Sequence, residues 1–160
     1  MGCDIHVYVE VKINDKWKHV DSLIHDKYNE GVSDLEYLSS PHQVREHLFE
    51  NRNYTLFGLL AGVRDNSLSP IAPPRGIPDD TSDTIRETWE LDGDHTPHYY
   101  TLVELESVKV NKLPKYSRTN LGYFFYKNSK EPSPLMKLQR IRDKYKVNSE
   151  QVRIVFWFDS

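Results

Sequence analysis

The amino-acid sequence predicts an α+β fold, with a central, mainly antiparallel sheet that contains the first and last strands of the chain and helices packed on it. Apolar and polar residues alternate near both ends of the chain, whereas the segments between them carry helix caps and apolar residues at helical spacing. The 160 residues fit one domain, and the 38% that are hydrophobic can fill one core. We therefore expect a single domain over residues 1–160.

The strands are predicted from this alternation. Apolar residues take the odd positions of Asp4 to Ile13, and apolar residues take the even positions of Val152 to Phe158. We expect these two strands to pair in one sheet and to bury those positions. Residues 14–16 form a plausible turn into a return strand over 17–20. The aromatic segment Gly122 to Lys127 is a further candidate strand.

Helices are predicted wherever a capping residue or a proline precedes apolar residues at helical spacing. The candidates are Pro41 to Phe49 after Ser40, Tyr54 to Val63 after Asn53, Asp83 to Glu90 after Ser82, a short helix with a capping box from Thr101 to Glu104, and a last helix from Pro134 after Ser133. Helices between terminal strands support the α+β class.

Two long stretches show neither the alternation of a strand nor the apolar spacing of a helix: residues 21–39 and 65–81. Irregular segments of this length within a domain are usually disordered or functional. The second contains four prolines, so its backbone is stiff. We expect this loop to hold Arg75 toward a ligand.

The composition excludes several classes of protein. The net charge of −3 supplies no field for duplex nucleic acid or an anionic membrane. No apolar stretch approaches the ~20 residues that span a bilayer, and the first residues do not resemble a signal peptide. Cys3 is the only cysteine, so no disulfide forms within the chain. We expect no membrane and no duplex nucleic-acid partner, and a location in the cytoplasm.

The polar face of the first strand carries the first candidate site residues. Asp4, His6, Tyr8 and Glu10 follow one another about 7 Å apart, as alternate strand residues do. Such a row can line a cleft, or it can be solvated or covered by loops, and the strand alone does not decide. Asp4 and His6 are also half of a metal site.

Residues 91–99 supply the second group, predicted as a turn that runs up to a helix cap. His95 is the candidate general acid or base, with Thr96, His98 and Tyr99 as ligand contacts. If His6 and His98 join His95, a divalent metal centre results, which is the less favoured alternative because seven histidines place some together by chance. The cofactor stays unknown.

Three arginines form the third group. Arg52 precedes a capped helix, Arg64 follows it, and Arg75 lies in the proline-rich loop. A guanidinium beside helix N-terminal amides suits a phosphate. Each arginine can instead pair with carboxylates between Asp79 and Asp94. We favour ligand contact for Arg52 and Arg75, with Asn53 and Tyr54 on the pocket wall, and an ion pair for Arg64.

These residues fall in sequence blocks. The blocks are MGCDIH at residues 1–6, NYTLF at 53–57, PRG at 74–76, TLVEL at 101–105 and VFWF at 155–158. In this order the blocks resemble a family of small proteins encoded by bacteriophages and prophages, which begin MGCDIH and carry NYxLF, PRG and TLxEL blocks. The similarity spans nearly the whole chain. The family reads close to H-S-H-S where this chain has His95-Thr96-Pro97-His98, which weakens a mechanism with two histidines in that turn.

The resemblance implies a phage accessory protein in the cytoplasm of the bacterial host. By analogy with phage counter-defence proteins, we expect its ligand to be a nucleotide signal of host immunity. The first hypothesis is a phosphodiesterase that cleaves a cyclic nucleotide, with His95, His6 and Asp4 as catalytic residues. The second is a sponge that sequesters a cyclic nucleotide or ADP-ribose-type signal unchanged, and the third is an inhibitor of a host protein. A homo-oligomer is compatible with all three.

We expect Asp4, His6, Arg75 and His95 to line one concave pocket, with residues 52–54 on its wall, because burying distant polar groups together is costly unless they meet a ligand or each other.

Overall fold

The computed structural model describes residues 2–21, 23–25, 43–45, 47–49, 51–126 and 131–160. The strands are β1 (Asp4–Ile13), β2 (Lys16–His19), β3 (Leu23–His25), β4 (Gln43–Arg45), β5 (His95–Thr101) and β6 (Val152–Asp159). The α-helices are α1 (Tyr54–Ala61), α2 (Asp83–Asp92), α3 (Leu102–Glu106), α4 (Lys115–Phe125) and α5 (Pro134–Tyr145). Short 3₁₀ turns cover Val110–Lys112 and Ser149–Gln151.

The main sheet is antiparallel and has the order β2-β1-β6-β5, while β3 and β4 form a separate two-stranded ribbon. Strands β1 and β6 pair along their length, from Asp4 opposite Asp159 to Val11 opposite Val152. The predicted α+β fold and the pairing of the two terminal strands are confirmed.

The first hairpin shows why β1 and β2 meet where they do. Asn14 and Asp15 both have positive φ angles, 52° and 63°. Two consecutive residues of this kind make the tight turn whose twist matches the strands it joins, and Asn and Asp accept that backbone more readily than most residues. The predicted turn and return strand are therefore confirmed.

The sheet is covered on both faces. Odd residues of β1 and even residues of β6 face the larger core, which includes side chains of α1, α4 and α5. The opposite face buries Tyr8, Val155 and Trp157 against Ile85 and Trp89 of α2. The even face of β1 is thus neither an open cleft nor simply solvated: its middle lies under α2, and Asp4 and His6 at its end stay partly exposed.

Three predicted helix starts are capped as expected. The Asn53 side chain accepts a hydrogen bond from the Leu56 amide, Thr101 and Glu104 form a capping box, and Ser133 accepts from the Met136 amide. Gly62 ends α1 with a φ of 70°, a left-handed conformation that glycine adopts at little cost.

Three sequence predictions are wrong. Gly122 to Phe125 belong to helix α4, because Phe124 and Phe125 continue the buried face that Leu121 shares. The predicted helix from Pro41 to Phe49 contains strand β4 instead. The predicted turn over residues 91–99 is the end of α2 followed by β5. The stretch 21–39, expected to be irregular, contains strand β3 at Leu23–His25, and most of the rest of it lies outside the described residues.

The proline-rich loop, residues 65–81, is irregular as predicted and runs beside β5. The Gly76 amide donates to the Pro97 carbonyl at 3.0 Å, and the Ile71 amide donates to the Leu59 carbonyl at 2.9 Å. The loop therefore covers part of an edge strand whose backbone groups would otherwise be open. None of the helices in the described ranges is long and apolar enough to traverse a bilayer.

Candidate functional site

One end of the main sheet gathers charged side chains from three chain segments. The Arg52 guanidinium donates two hydrogen bonds to the Asp4 carboxylate, from Nε to Oδ1 at 2.5 Å and from Nη2 to Oδ2 at 3.0 Å. These hydrogen bonds lower the pKa of Asp4 and raise that of Arg52. Arg52 therefore pairs with Asp4 and not with the carboxylates between Asp79 and Asp94.

His6 lies beside this pair, on the same face of β1 as Asp4. His6 Nε2 is 2.6 Å from Asp159 Oδ2, and its ring stacks against Trp157. The two side chains are partly exposed, at 37% for His6 and 43% for Asp159. A histidine held by a carboxylate and open to solvent can accept or donate a proton. Asp159 was not among the predicted site residues, although its place opposite Asp4 follows from the strand pairing.

His95 lies at the same end of the sheet but on its other face. It pairs with Phe158 and stacks on that ring, whereas His6 pairs with Trp157, and consecutive strand residues point to opposite faces. His95 Nδ1 is 2.9 Å from Thr96 Oγ1, and its Nε2 is 3.0 Å from Ser160 Oγ. The two histidines therefore do not form one acid–base pair.

Arg75 lies away from His6 and His95. Its guanidinium donates to both Glu104 carboxylate oxygens at 3.1 Å and to the Tyr99 carbonyl, and it lies 4.3 Å from the Tyr99 ring centroid. Tyr99 is four residues along β5 from His95, roughly 13 Å. The expected single pocket lined by Asp4, His6, Arg75 and His95 is wrong.

The pairing of Arg75 with Glu104 ties the loop to α3. Burial alone would raise the pKa of Glu104, but hydrogen bonds from Arg75 and Thr101 outweigh it and lower that pKa. Glu104 also completes the capping box of α3. Arg75 thus fixes the proline-rich loop to the start of that helix.

His98 is fully buried below the same loop. Its Nδ1 accepts from the Arg75 amide at 3.2 Å, and its Nε2 lies 3.1 Å from the Ala72 carbonyl and 2.9 Å from the Tyr100 hydroxyl. Burial lowers the pKa of His98 to about 4, so the ring is neutral at pH 7. Both ring nitrogens are engaged within the protein, away from the surface where a ligand would bind.

The remaining predicted contacts are spread over the molecule. Arg64 is exposed and lies 5.8 Å from the ring centroid of Tyr54. Thr96 has a φ of 53°, which is unusual for a β-branched residue, and it lies in an irregularity of β5 between His95 and His98. Neither residue lines the pocket described next.

A pocket of about 370 Å³ opens at the N-terminus of α1. Its lining residues come from the start of α1 and from one face of α4: Asn51, Arg52, Asn53, Tyr54, Thr55, Tyr116, Asn120 and Tyr123. Three of the predicted ligand contacts, Arg52, Asn53 and Tyr54, are thus brought together. The sequence does not point to the α4 residues, because its aromatic segment predicts a strand there.

The polar groups around this pocket differ in how far they are hydrogen-bonded within the protein. The Asn53 side chain accepts from Leu56 and donates to the Asn120 carbonyl, so it fixes the two helices together. The amides of Tyr54 and Thr55 belong to the first turn of α1, where helix N–H groups lack intrahelical partners. The Tyr123 hydroxyl is buried and has no hydrogen-bond partner among the described residues.

A metal centre has no support in the described part of the chain, where no three His, Cys, Asp or Glu side chains come close enough to share an ion.

The comparisons with known proteins give no significant match among protein-family models, curated proteins or solved structures.

Proposed function

We propose that this protein binds a nucleotide-type ligand in the pocket at the start of α1 and holds it without hydrolysis. The observation that supports this proposal is the composition of the pocket wall. The amides of Tyr54 and Thr55 suit a phosphate, together with Arg52, which also holds the Asp4 carboxylate, while the Tyr116 ring suits a base. A volume of about 370 Å³ is within the range of small-molecule sites.

Binding is favoured over cleavage because neither candidate catalytic histidine lines this pocket. Its lining includes no histidine and no carboxylate, whereas general acid–base catalysis needs such a group within hydrogen-bond reach of the substrate. The resemblance to phage-encoded proteins is the reason to propose a host immune signal as the ligand, either a cyclic nucleotide or an ADP-ribose-type molecule.

The test is isothermal titration of the purified protein with a panel of cyclic di- and trinucleotides, ADP-ribose and inorganic phosphate. We expect one class of nucleotide to bind, and we expect Tyr116→Ala to weaken that binding about fivefold or more through lost stacking. Leu91→Ala is the matched control, because it also truncates a highly exposed side chain but lies on α2. No binding by any member of the panel would refute the proposal.

Phosphodiesterase activity is the second candidate function, and the His6–Asp159 pair beside Arg52 favours it. In that reaction His6 would take a proton from water as the water oxygen bonds to phosphorus and the ester P–O bond breaks. The leaving oxygen would then take up the proton, while Arg52 balances the charge of the phosphate. Ligand released by heat and separated by chromatography distinguishes the two functions. Intact ligand supports sequestration, whereas products that disappear in His6→Asn support hydrolysis.

A further inference from the structure

The surface beside the proposed ligand pocket has a charge pattern unlike that of the whole chain. Residues 107–126 contain four basic residues, Lys109, Lys112, Lys115 and Arg118, and no acidic residue. At the chain's frequency of 24 Asp and Glu in 160 residues, a stretch of 20 would hold about three. All four basic residues are exposed.

These cations are not used for internal ion pairs. Among the described residues, none of the four basic side chains forms a hydrogen bond or ion pair, whereas Arg52, Arg75, Arg142 and Arg153 all do. Lys115 and Arg118 are three residues apart at the start of α4, so they lie on one face of that helix, and Lys109 and Lys112 flank the 3₁₀ turn that comes just before it. Their positive charge is therefore available to a partner.

A groove of about 410 Å³ lies within this surface. It is lined by Asn111, Lys115, Arg118, Thr119 and Tyr126, so it contains two cations, two uncharged polar groups, one aromatic ring and no carboxylate. Tyr126 is 55% exposed, so one face of its ring is open to solvent. None of these five residues lines the α1 pocket.

We propose that this groove, together with Lys109 and Lys112, is a binding surface for single-stranded nucleic acid. The cations contact successive phosphates, and a base stacks on Tyr126. An exposed aromatic ring distinguishes this surface from a purely electrostatic one, because every base has a face that can stack. A duplex hides its base faces, so single strands fit the surface better. The negative net charge of the whole chain limits binding to this local patch.

Fluorescence anisotropy with a labelled oligothymidylate of about 20 nucleotides tests the proposal. If three or four phosphates are contacted, the affinity should fall about 20- to 50-fold between about 50 and 200 mM salt. Lys115→Glu with Arg118→Glu should lose at least about tenfold in affinity, and Tyr126→Ala about fivefold or more.

The matched control is Arg140→Glu with Lys144→Glu, which changes the net charge equally on the exposed side of α5. This control should change the affinity by less than about threefold. Equal losses in the two double variants would overturn the proposal, because they would indicate an effect of net charge alone. No binding by the wild-type protein at low salt would overturn it too.

Two competitors decide the class of partner. Tighter binding of a duplex of the same length would refute the stacking of bases, and equally tight binding of a polyglutamate peptide would indicate an acidic protein as the partner. Circular dichroism of each variant should retain the wild-type spectrum. A variant that binds single strands like the wild type despite the loss of Lys115 and Arg118 would also refute the proposal.

Discussion

A buried ion pair between Glu10 and Arg153 crosses the centre of the sheet. Glu10 Oε1 accepts from Arg153 Nε at 2.8 Å, and Oε2 accepts from the Thr81 hydroxyl and the Ser82 amide at 3.1 and 2.7 Å. The guanidinium lies 3.9 Å from the Trp17 ring centroid. This pair joins two neighbouring strands to the loop that precedes α2.

Removal of the Arg153 cation should destabilise the protein strongly. We expect Arg153→Met to lower the free energy of unfolding by about 3–5 kcal/mol, because Glu10 is left buried without its counter-charge. Arg142→Met is the matched control at a more exposed pair, and it should cost about 1 kcal/mol or less. Urea denaturation measures both values. Equal losses in the two variants would contradict the role of burial.

His98 should make stability depend on pH. Burial lowers its pKa from 6.5 to about 4 in the folded protein, so the unfolded chain takes up a proton at a higher pH than the folded one. The stabilisation is complete above pH 6.5 and is lost as the pH falls toward 4. We expect the free energy of unfolding to drop by about 2–3 kcal/mol from pH 7.5 to 4.5 through this group.

The variant His98→Gln isolates this effect, because glutamine keeps one acceptor and one donor but does not titrate. The measurement is urea denaturation at both pH values. The variant should lose less stability than the wild type between pH 7.5 and 4.5, whatever its stability at pH 7.5. An equal drop in the two proteins would show that the carboxylates alone set the pH dependence.

The candidate site shows which residue roles the sequence could and could not predict. The grouping of Arg52, Asn53 and Tyr54 follows from a cap signal beside a helix, which is local information. The face on which His95 lies depends on the irregularity in β5, where three steps along β5 match two along β6. One extra residue reverses the direction of every side chain beyond it. Sequence alternation alone does not reveal such an insertion.

At the level of elements, α4 carries both the α1 pocket and the basic groove on different faces. The sequence of its aromatic end predicts a strand, because Phe124 and Phe125 favour strands in a short window. The helix is set instead by packing, since Leu121 and Phe124 are fully buried in the core. Tertiary contacts override a local preference of this kind.

Substitution by alanine should have opposite effects on stability at two helix glycines. A Cβ at Gly122 of α4 would meet only the Tyr126 ring, at 4.0 Å, so Gly122→Ala should raise the free energy of unfolding by about 0.5–1 kcal/mol. A Cβ at Gly58 of α1 would lie 2.5 Å from the Asp65 carbonyl oxygen, so Gly58→Ala should destabilise. Thermal unfolding of both variants tests this pair, and the same sign of change for both would contradict it.

For the whole molecule, the pairing of the terminal strands was predictable because each strand has one clearly apolar face. The attachment of the proline-rich loop was not, because it depends on a hydrogen-bond network of buried side chains. The Tyr100 hydroxyl donates to the Leu60 carbonyl at 2.6 Å and accepts from the Ala72 amide at 3.0 Å. Tyr100 thereby connects α1, the loop and β5.

Loss of this hydroxyl should loosen the loop before the rest of the fold. We expect Tyr100→Phe to lower the free energy of unfolding by about 1–3 kcal/mol, because the Leu60 carbonyl and the Ala72 amide lose a buried partner. Hydrogen exchange should accelerate at Ala72 and Gly76 more than at amides of β1, since loops open locally at lower free energy than a central strand. A uniform acceleration over the loop and β1 would show that Tyr100 contributes only to global stability. Unchanged exchange at Ala72 would show that the loop is held by its other contacts, such as the pairing of Arg75 with Glu104.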